Sequence, residues 1–167
     1  FALCGVALES HLAKERAEPE TGRVGVLDVG AVQPITRGLA ADCRALGRVA
    51  LGGGDDATRD AMLRIGYFGP TTTPHHQDII QSMFNAAMAP LRQDSPFDFG
   101  SSDLLEQLRD MGIAIGNDRE LAHVPPAATL FLHRKIGGMY LMATKLQAQV
   151  ALRPMVEGYC AMDIAPC

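Results

Sequence analysis

A mainly α fold with one short β-element near the N-terminus is what this sequence predicts, and three observations predict it. From residue 39 onward the apolar residues recur at helical spacing. Only one β-branched apolar run, Arg23-Val24-Gly25-Val26-Leu27, has the form of a short buried strand. The 167 residues are 47% hydrophobic with a net charge of −4, too apolar and too weakly charged for intrinsic disorder and long enough for one core.

The same numbers exclude several classes of function. With 15 Lys+Arg against 19 Asp+Glu and no basic run longer than the pair Arg134-Lys135, the chain lacks the concentrated positive face that a nucleic-acid backbone requires. The longest tempting uncharged apolar stretch, 136–144, is nine residues, far short of the roughly 20 that a spanning helix needs. Cys4, Cys43, Cys160 and Cys167 form no CxxC pair, so neither zinc nor a disulfide framework is expected, and a reducing compartment is the default. No internal repeat is present, and Thr71-Thr72-Thr73 is the only hint of low complexity.

Each element has its own signals. The stretch Glu9 to Glu20 reads as a solvated helix and turn. The strand at 23–27 follows the turn-prone Glu20-Thr21-Gly22 and runs into Asp28-Val29-Gly30. Leu39, Cys43, Leu46 and Ala50 share one helical face, ended by Gly52-Gly53-Gly54. Asp55 can cap a shorter helix with Ala61, Met62 and Ile65 inward and Gly66 as its stop. Thr73 and Pro74 read as N-cap and first residue of the most regular helix, carrying Ile79/Ile80, Met83/Phe84, Ala87/Met88 and Leu91, which Pro90 should kink or end. Ser101-Ser102-Asp103 opens a helix with Leu104, Leu105, Leu108 and Met111 that ends across Gly112 to Gly116. After Pro125-Pro126, Leu132, Ile136, Met139, Ala143 and Leu146 form one stripe around Gly137-Gly138. Two adjacent glycines cost a helix about 1 kcal/mol each, which suggests either close packing on another backbone or a plain kink. The methionines 83, 88, 139 and 142 are expected as adaptable core fillers.

The residue with the clearest chemical potential is Asp28, which leaves a hydrophobic strand end with Gly30 two positions on. A carboxylate so placed can reach a Mg²⁺ ion bridging nucleotide phosphates; it can equally be a turn-former that bonds its own backbone. His75-His76 could offer paired imidazoles, but no third ligand stands at helical spacing, so exposure is expected. His133-Arg134-Lys135 could meet a phosphate or acidic head group, or be a solvated helix turn.

An ordered set of blocks from Gly22 to about Tyr159 resembles the C-terminal half of the AarF/UbiB family of atypical, protein-kinase-like ATPases. The blocks are Gly22-Arg-Val-Gly-Val-Leu-Asp-Val-Gly-Ala-Val32, then Leu63-Arg-Ile-Gly-Tyr-Phe68 after Gly54-Asp55. Next come Ala89-Pro-Leu91 with Phe97-Asp-Phe-Gly-Ser101, and Pro125-Pro126 with Leu132-His-Arg-Lys-Ile-Gly-Gly-Met-Tyr-Leu141. The resemblance implies a partial protein-kinase-like C-lobe, with residues 1–21 a divergent N-terminal segment, 22–159 the kinase-like part and 160–167 a tail. It implies Asp28 as the Mg²⁺-binding Asp of the Asp-Phe-Gly motif, Gly30 as the glycine that lets the loop turn, and Mg²⁺ and ATP as cofactors. It also implies a missing N-terminal kinase-like half as partner, and a link to ubiquinone or prenyl-lipid metabolism. The setting so implied is cytoplasmic or an organellar matrix, peripheral at a membrane surface with lipid or quinone-biosynthesis proteins.

Two departures qualify that picture. Val29 stands where the family has Phe, and residues 1–27 contain neither Asp nor Asn, although phosphoryl transfer calls for a catalytic-loop Asp and an Asn metal ligand. The chain alone is therefore expected to be inactive, either as the C-terminal piece of a longer enzyme, which the absent start Met favours, or as a degenerate, non-catalytic all-α interaction module. A second Asp-Phe-Gly, Asp98-Phe99-Gly100, reads as a decoy in a loop leading into a helix. A strand at 24–27 cut off from its sheet neighbours should leave apolar surface uncovered.

Overall fold

The computed structural model describes residues 2–3, 6–8, 15–18, 23–26, 32–118 and 123–161, with the backbone alone for the strands before Pro34. The fold is mainly helical: six α-helices stand among the described residues, with short antiparallel strand pairs beside them. Strands are more numerous than the sequence suggests. The strands β1 (Ala2–Leu3), β2 (Val6–Leu8) and β5 (Val32–Pro34) form one antiparallel sheet in the order β1-β2-β5. β3 (Glu15–Glu18) pairs with β4 (Arg23–Val26), with Glu15 opposite Val26 and Glu18 opposite Arg23. Part of the expected helix at 9–20 is thus a strand, and β4 is not left without a neighbour. Glu15-Arg16-Ala17-Glu18 has no apolar alternation of its own, and it is the pairing with β4 that supplies its backbone bonds.

Helix α1 (Arg37–Gly52) starts where Thr36 Oγ1 accepts the Leu39 N–H at 3.2 Å, and stops as Gly53 N–H bonds to the Val49 carbonyl. α2 (Asp55–Arg64) has Asp55 and Asp56 in its first turn and Arg64 in its last, each charge opposing the helix dipole end it faces. Gly54 occupies the N-cap, so Asp55 is the first helical residue rather than the cap. At its far end Gly66 takes φ +84° while Tyr67 N–H reaches the Met62 carbonyl, a left-handed stop that favours glycine. α3 (Pro74–Met88) begins with Thr73 as N-cap and Pro74 as first residue, as its sequence predicts. Pro90 ends it by tightening the chain into a 3₁₀ turn over Ala89–Arg92.

α4 spans Leu104–Gly116 and α5 spans Ala127–Lys145. After α5, Gln147 adopts φ 50° and Ala148 N–H bonds the Ala143 carbonyl, turning the chain into β7 (Gln149–Val150), which pairs with β6 (Phe97–Asp98). α6 (Leu152–Ala161) packs on α1. There a Cβ on Gly47 would come within 2.9 Å of Cys160 Sγ, so that interface needs glycine.

The core is where α1, α2, α3 and the turn after α2 meet: Ala50, Met62, Phe68 and Phe84 are buried together, with Leu46, Tyr67, Ile80, Met88 and Leu91 packed around them. Leu46, Ala50, Met62, Phe84, Met88 and Leu91 are among the apolar positions read from the sequence. α5 departs from its expected role. Its buried members are Thr129 and Lys135, while Ile136, Met139 and Leu146 of the supposed core stripe are 58%, 38% and 45% exposed. α5 also contacts β2, and among the described residues a Cβ added to Gly137 would meet nothing within 4 Å.

Among the described residues no helix is long and apolar enough to cross a membrane.

Candidate functional site

Asp28 and Gly30 lie outside the described residues, but the strands that flank them do not. Leu8 stands opposite Val32 in the β2–β5 pair, and Glu15 stands opposite Val26 in the β3–β4 pair. The segment that holds Asp28 and Gly30 connects β4 to β5 along the chain.

The decoy Asp-Phe-Gly turns out to be structural. Asp98 Oδ1 accepts the N–H groups of Gly100 at 2.9 Å and Ser101 at 3.3 Å, and Oδ2 accepts from Gln149 Nε2. The bond from Gly100, more than any other cause, holds the Asp98 carboxyl below its ordinary range. Contrary to expectation, a strand does present it, since β6 pairs with β7. Phe97, Phe99 and Tyr140 stack edge to face around the turn, and Tyr140 donates to Ser102 Oγ at 3.1 Å. This carboxylate closes its own turn and is not a metal ligand in waiting.

Two of the blocks that carry the resemblance, 63–68 and 125–141, are locked together. Thr129, 1% exposed, donates from Oγ1 to the Ile65 carbonyl at 2.7 Å. His123 Nε2 donates to the Gly66 carbonyl at 2.9 Å, and a Cβ on Gly66 would lie 2.5 Å from Pro126 Cδ. Tyr67 and His133 share a hydrogen bond between hydroxyl and Nε2, their rings 5.0 Å apart. His133 and Arg134 are exposed, as expected of a solvated helix turn, and Lys135 beside them is buried. The Leu-His-Arg-Lys segment serves as a seam between α5 and the end of α2. Replacing Thr129 by valine leaves the buried Ile65 carbonyl without its donor, and should lower stability by about 1–3 kcal/mol in chemical denaturation.

Burial pushes the Tyr67 phenol up to about 12, with the neighbouring Cys43 thiol adding to the rise. Burial also pushes His133 below its ordinary value. The signs follow from linkage. A phenol raised in the folded state adds stability that is whole below about 10 and lost as pH climbs through about 12. An imidazole depressed in the folded state favours the unfolded chain as pH falls below its ordinary value near 6.5. Ultraviolet titration should show one of the three tyrosines ionising only near the alkaline unfolding limb, and Tyr67→Phe should remove that late step.

His76 is the other place where tertiary structure departs from the sequence. It is 3% exposed rather than solvated. Its Nε2 donates to Asp118 Oδ2 at 2.8 Å, and Nδ1 takes the Thr73 hydroxyl at 2.9 Å, so the ring ties the start of α3 to the end of α4. Beside it lies a cavity of about 80 Å³ lined by His76, Ile79, Ile80, Ala114, Ile115 and Asp118. Asp118 is 42 residues away in sequence, and nothing in the spacing signals the pairing. Thr73 also accepts the His76 backbone N–H at 3.3 Å, which identifies the trio as a helix cap with a long-range anchor.

Among the described residues no group of three or more His, Cys, Asp or Glu could hold a metal ion. Cys43 and Cys160 are free thiols, and burial pushes both above the usual range, which leaves them poor nucleophiles. A scan of the chain against protein-family models finds no match.

Proposed function

We propose that the chain is the C-terminal part of an atypical kinase or ATPase of the AarF/UbiB type, in which Asp28 would hold a Mg²⁺ ion that arrives with a nucleotide. What supports this reading is the ordered set of blocks from Gly22 to about Tyr159 that resembles the family, with Asp28 two residues beyond the end of strand β4.

The donor chemistry fits the group. Mg²⁺ prefers hard oxygen and commonly takes one or two carboxylates together with phosphate oxygens, so a lone Asp28 suits an ion that arrives with its nucleotide. When bound, the ion offsets the negative charge of the phosphates. Asp28 would hold it, and Gly30 would give the loop its freedom to turn. The resemblance extends the reading to ubiquinone or prenyl-lipid chemistry at a membrane surface.

A second reading, a non-catalytic helical module, is favoured by the sequence of segment 9–14, Glu-Ser-His-Leu-Ala-Lys, which has no Asp or Asn. One experiment separates the two. Titration of Mg²⁺–ATP into isotope-labelled protein should perturb amides flanking residues 27–31, and Asp28→Asn should abolish the response while Asp98→Asn preserves it. A response untouched by Asp28→Asn would defeat the kinase reading; no response even in the full-length protein would select the module.

A further inference from the structure

The three side chains that tie the start of α3 to the end of α4 are joined in a definite order. Asp118 Oδ2 lies 2.8 Å from His76 Nε2, so that nitrogen carries the proton and donates. Nδ1 is then the acceptor of the neutral ring, and the Thr73 hydroxyl, 2.9 Å away, donates to it. Hydroxyl, imidazole and carboxylate thus form one chain, in which the ring can take the hydroxyl proton and the carboxylate can steady the charge that results. Thr73 is exposed whereas His76 is 3% exposed, so the nucleophile faces solvent and its base is held inside. Capping alone does not call for this chain: Thr36 caps α1 through its own hydroxyl with Leu39 in the place that His76 has in α3. We infer that Thr73, His76 and Asp118 form an acyl-transfer site for esters with a small apolar acyl group, with Thr73 Oγ1 as the nucleophile.

A tetrahedral intermediate on Thr73 Oγ1 needs donors for its oxyanion. The first N–H groups of a helix have no acceptor within it. At the start of α3 Pro74 has no N–H, that of His75 is not committed to the helix, and that of His76 already lies 3.3 Å from Thr73 Oγ1. Beside the ring, the walls of the cavity of about 80 Å³ are Ile79, Ile80, Ala114 and Ile115 apart from His76 and Asp118. So small and apolar a space suits an acetyl or butyryl group and not a charged one. In the reaction, Thr73 Oγ1 bonds to the carbonyl carbon as its proton passes to His76 Nδ1. The bond to the alcohol oxygen then breaks, and the alcohol leaves with that proton. Water attacks the acyl-Thr73 ester and gives a proton to Nδ1, which returns it to Thr73 Oγ1 as the acid departs. Ester and water are consumed, acid and alcohol are formed. The proposal does not depend on nucleotide binding.

Mixing the protein with p-nitrophenyl acetate should release a burst of p-nitrophenolate that approaches one equivalent per chain, followed by slower turnover, and peptide mass spectrometry should find the acetyl group on Thr73. Thr73→Ser keeps both hydroxyl and cap and should keep the burst. Thr73→Asn should abolish it although asparagine caps a helix at least as well as threonine, a loss that a purely structural role for Thr73 would not produce. Asp118→Asn should slow acylation by about tenfold or more, because the ring loses the carboxylate that fixes its tautomer. Circular dichroism and urea midpoints of each variant check that α3 stays in place, and if Asp118→Asn unfolds the chain the serine and asparagine variants at position 73 carry the test. No burst, an acetyl group on His75, a lysine or a cysteine with Thr73 unmodified, or an undiminished burst in Thr73→Asn would each overturn the site.

Discussion

Truncating Phe84 to alanine should lower the free energy of unfolding by about 3–5 kcal/mol, the usual cost of removing a buried ring when its surroundings relax only in part. Phe84 sits in the cluster with Ala50, Met62 and Phe68, and Tyr67 meets its ring edge-on at 6.3 Å. α1, α2 and α3 all contribute to this cluster, so the void cannot close without moving a helix. Against a typical total of about 5–15 kcal/mol, such a loss should leave a substantial unfolded fraction at moderate temperature. Urea titration measures it, with Ile113→Ala as the control: Ile113 is 56% exposed on α4, and its loss should fall within about 0.5 kcal/mol. Equal effects at the two positions would mean that the core is not where Phe84 lies.

Replacing Asp28 by asparagine in the full-length protein should slow turnover by ~10²-fold, equivalent to about 3 kcal/mol, the scale on which single electrostatic contributors to a transition state act. Asparagine keeps the size and one oxygen but removes the charge with which Asp28 would hold Mg²⁺. The matched substitution Asp98→Asn should leave turnover nearly unchanged, because Asp98 spends its oxygens on Gly100, Ser101 and Gln149. Its effect should appear instead as a small loss of stability in the β6 turn. If Asp98→Asn were the inactive variant and Asp28→Asn the normal one, the metal loop would have to be reassigned to residues 98–100.

The helices and their ends were legible in the sequence because their causes are local. Thr36 and Thr73 cap with their own hydroxyls, Pro74 and Pro90 act through fixed backbone geometry, and Gly66 supplies a left-handed stop. The members of the core on α1 to α3 followed from the same short-range spacing. Strand β3 was not legible, since Glu15 to Glu18 carry no apolar alternation and become a strand by pairing with β4. α6 was missed although Leu152, Val156, Tyr159 and Cys160 recur at helical spacing, with Pro154 tolerated in its first turn.

Sequence alone determined that this protein is mainly helical, where most of its helices begin and end, and that Asp28 and Gly30 are its best candidates for a metal loop. Only the tertiary structure decided that His76 is buried against Asp118, that the second Asp-Phe-Gly closes its own turn, and that the stripe on α5 faces outward. The physical reason is one of range. Capping and backbone stops act over three or four residues and are written in them. Which face of α5 is covered depends on Tyr67, Ile65 and Ser102, which reach it from 66, 64 and 38 residues away along the chain.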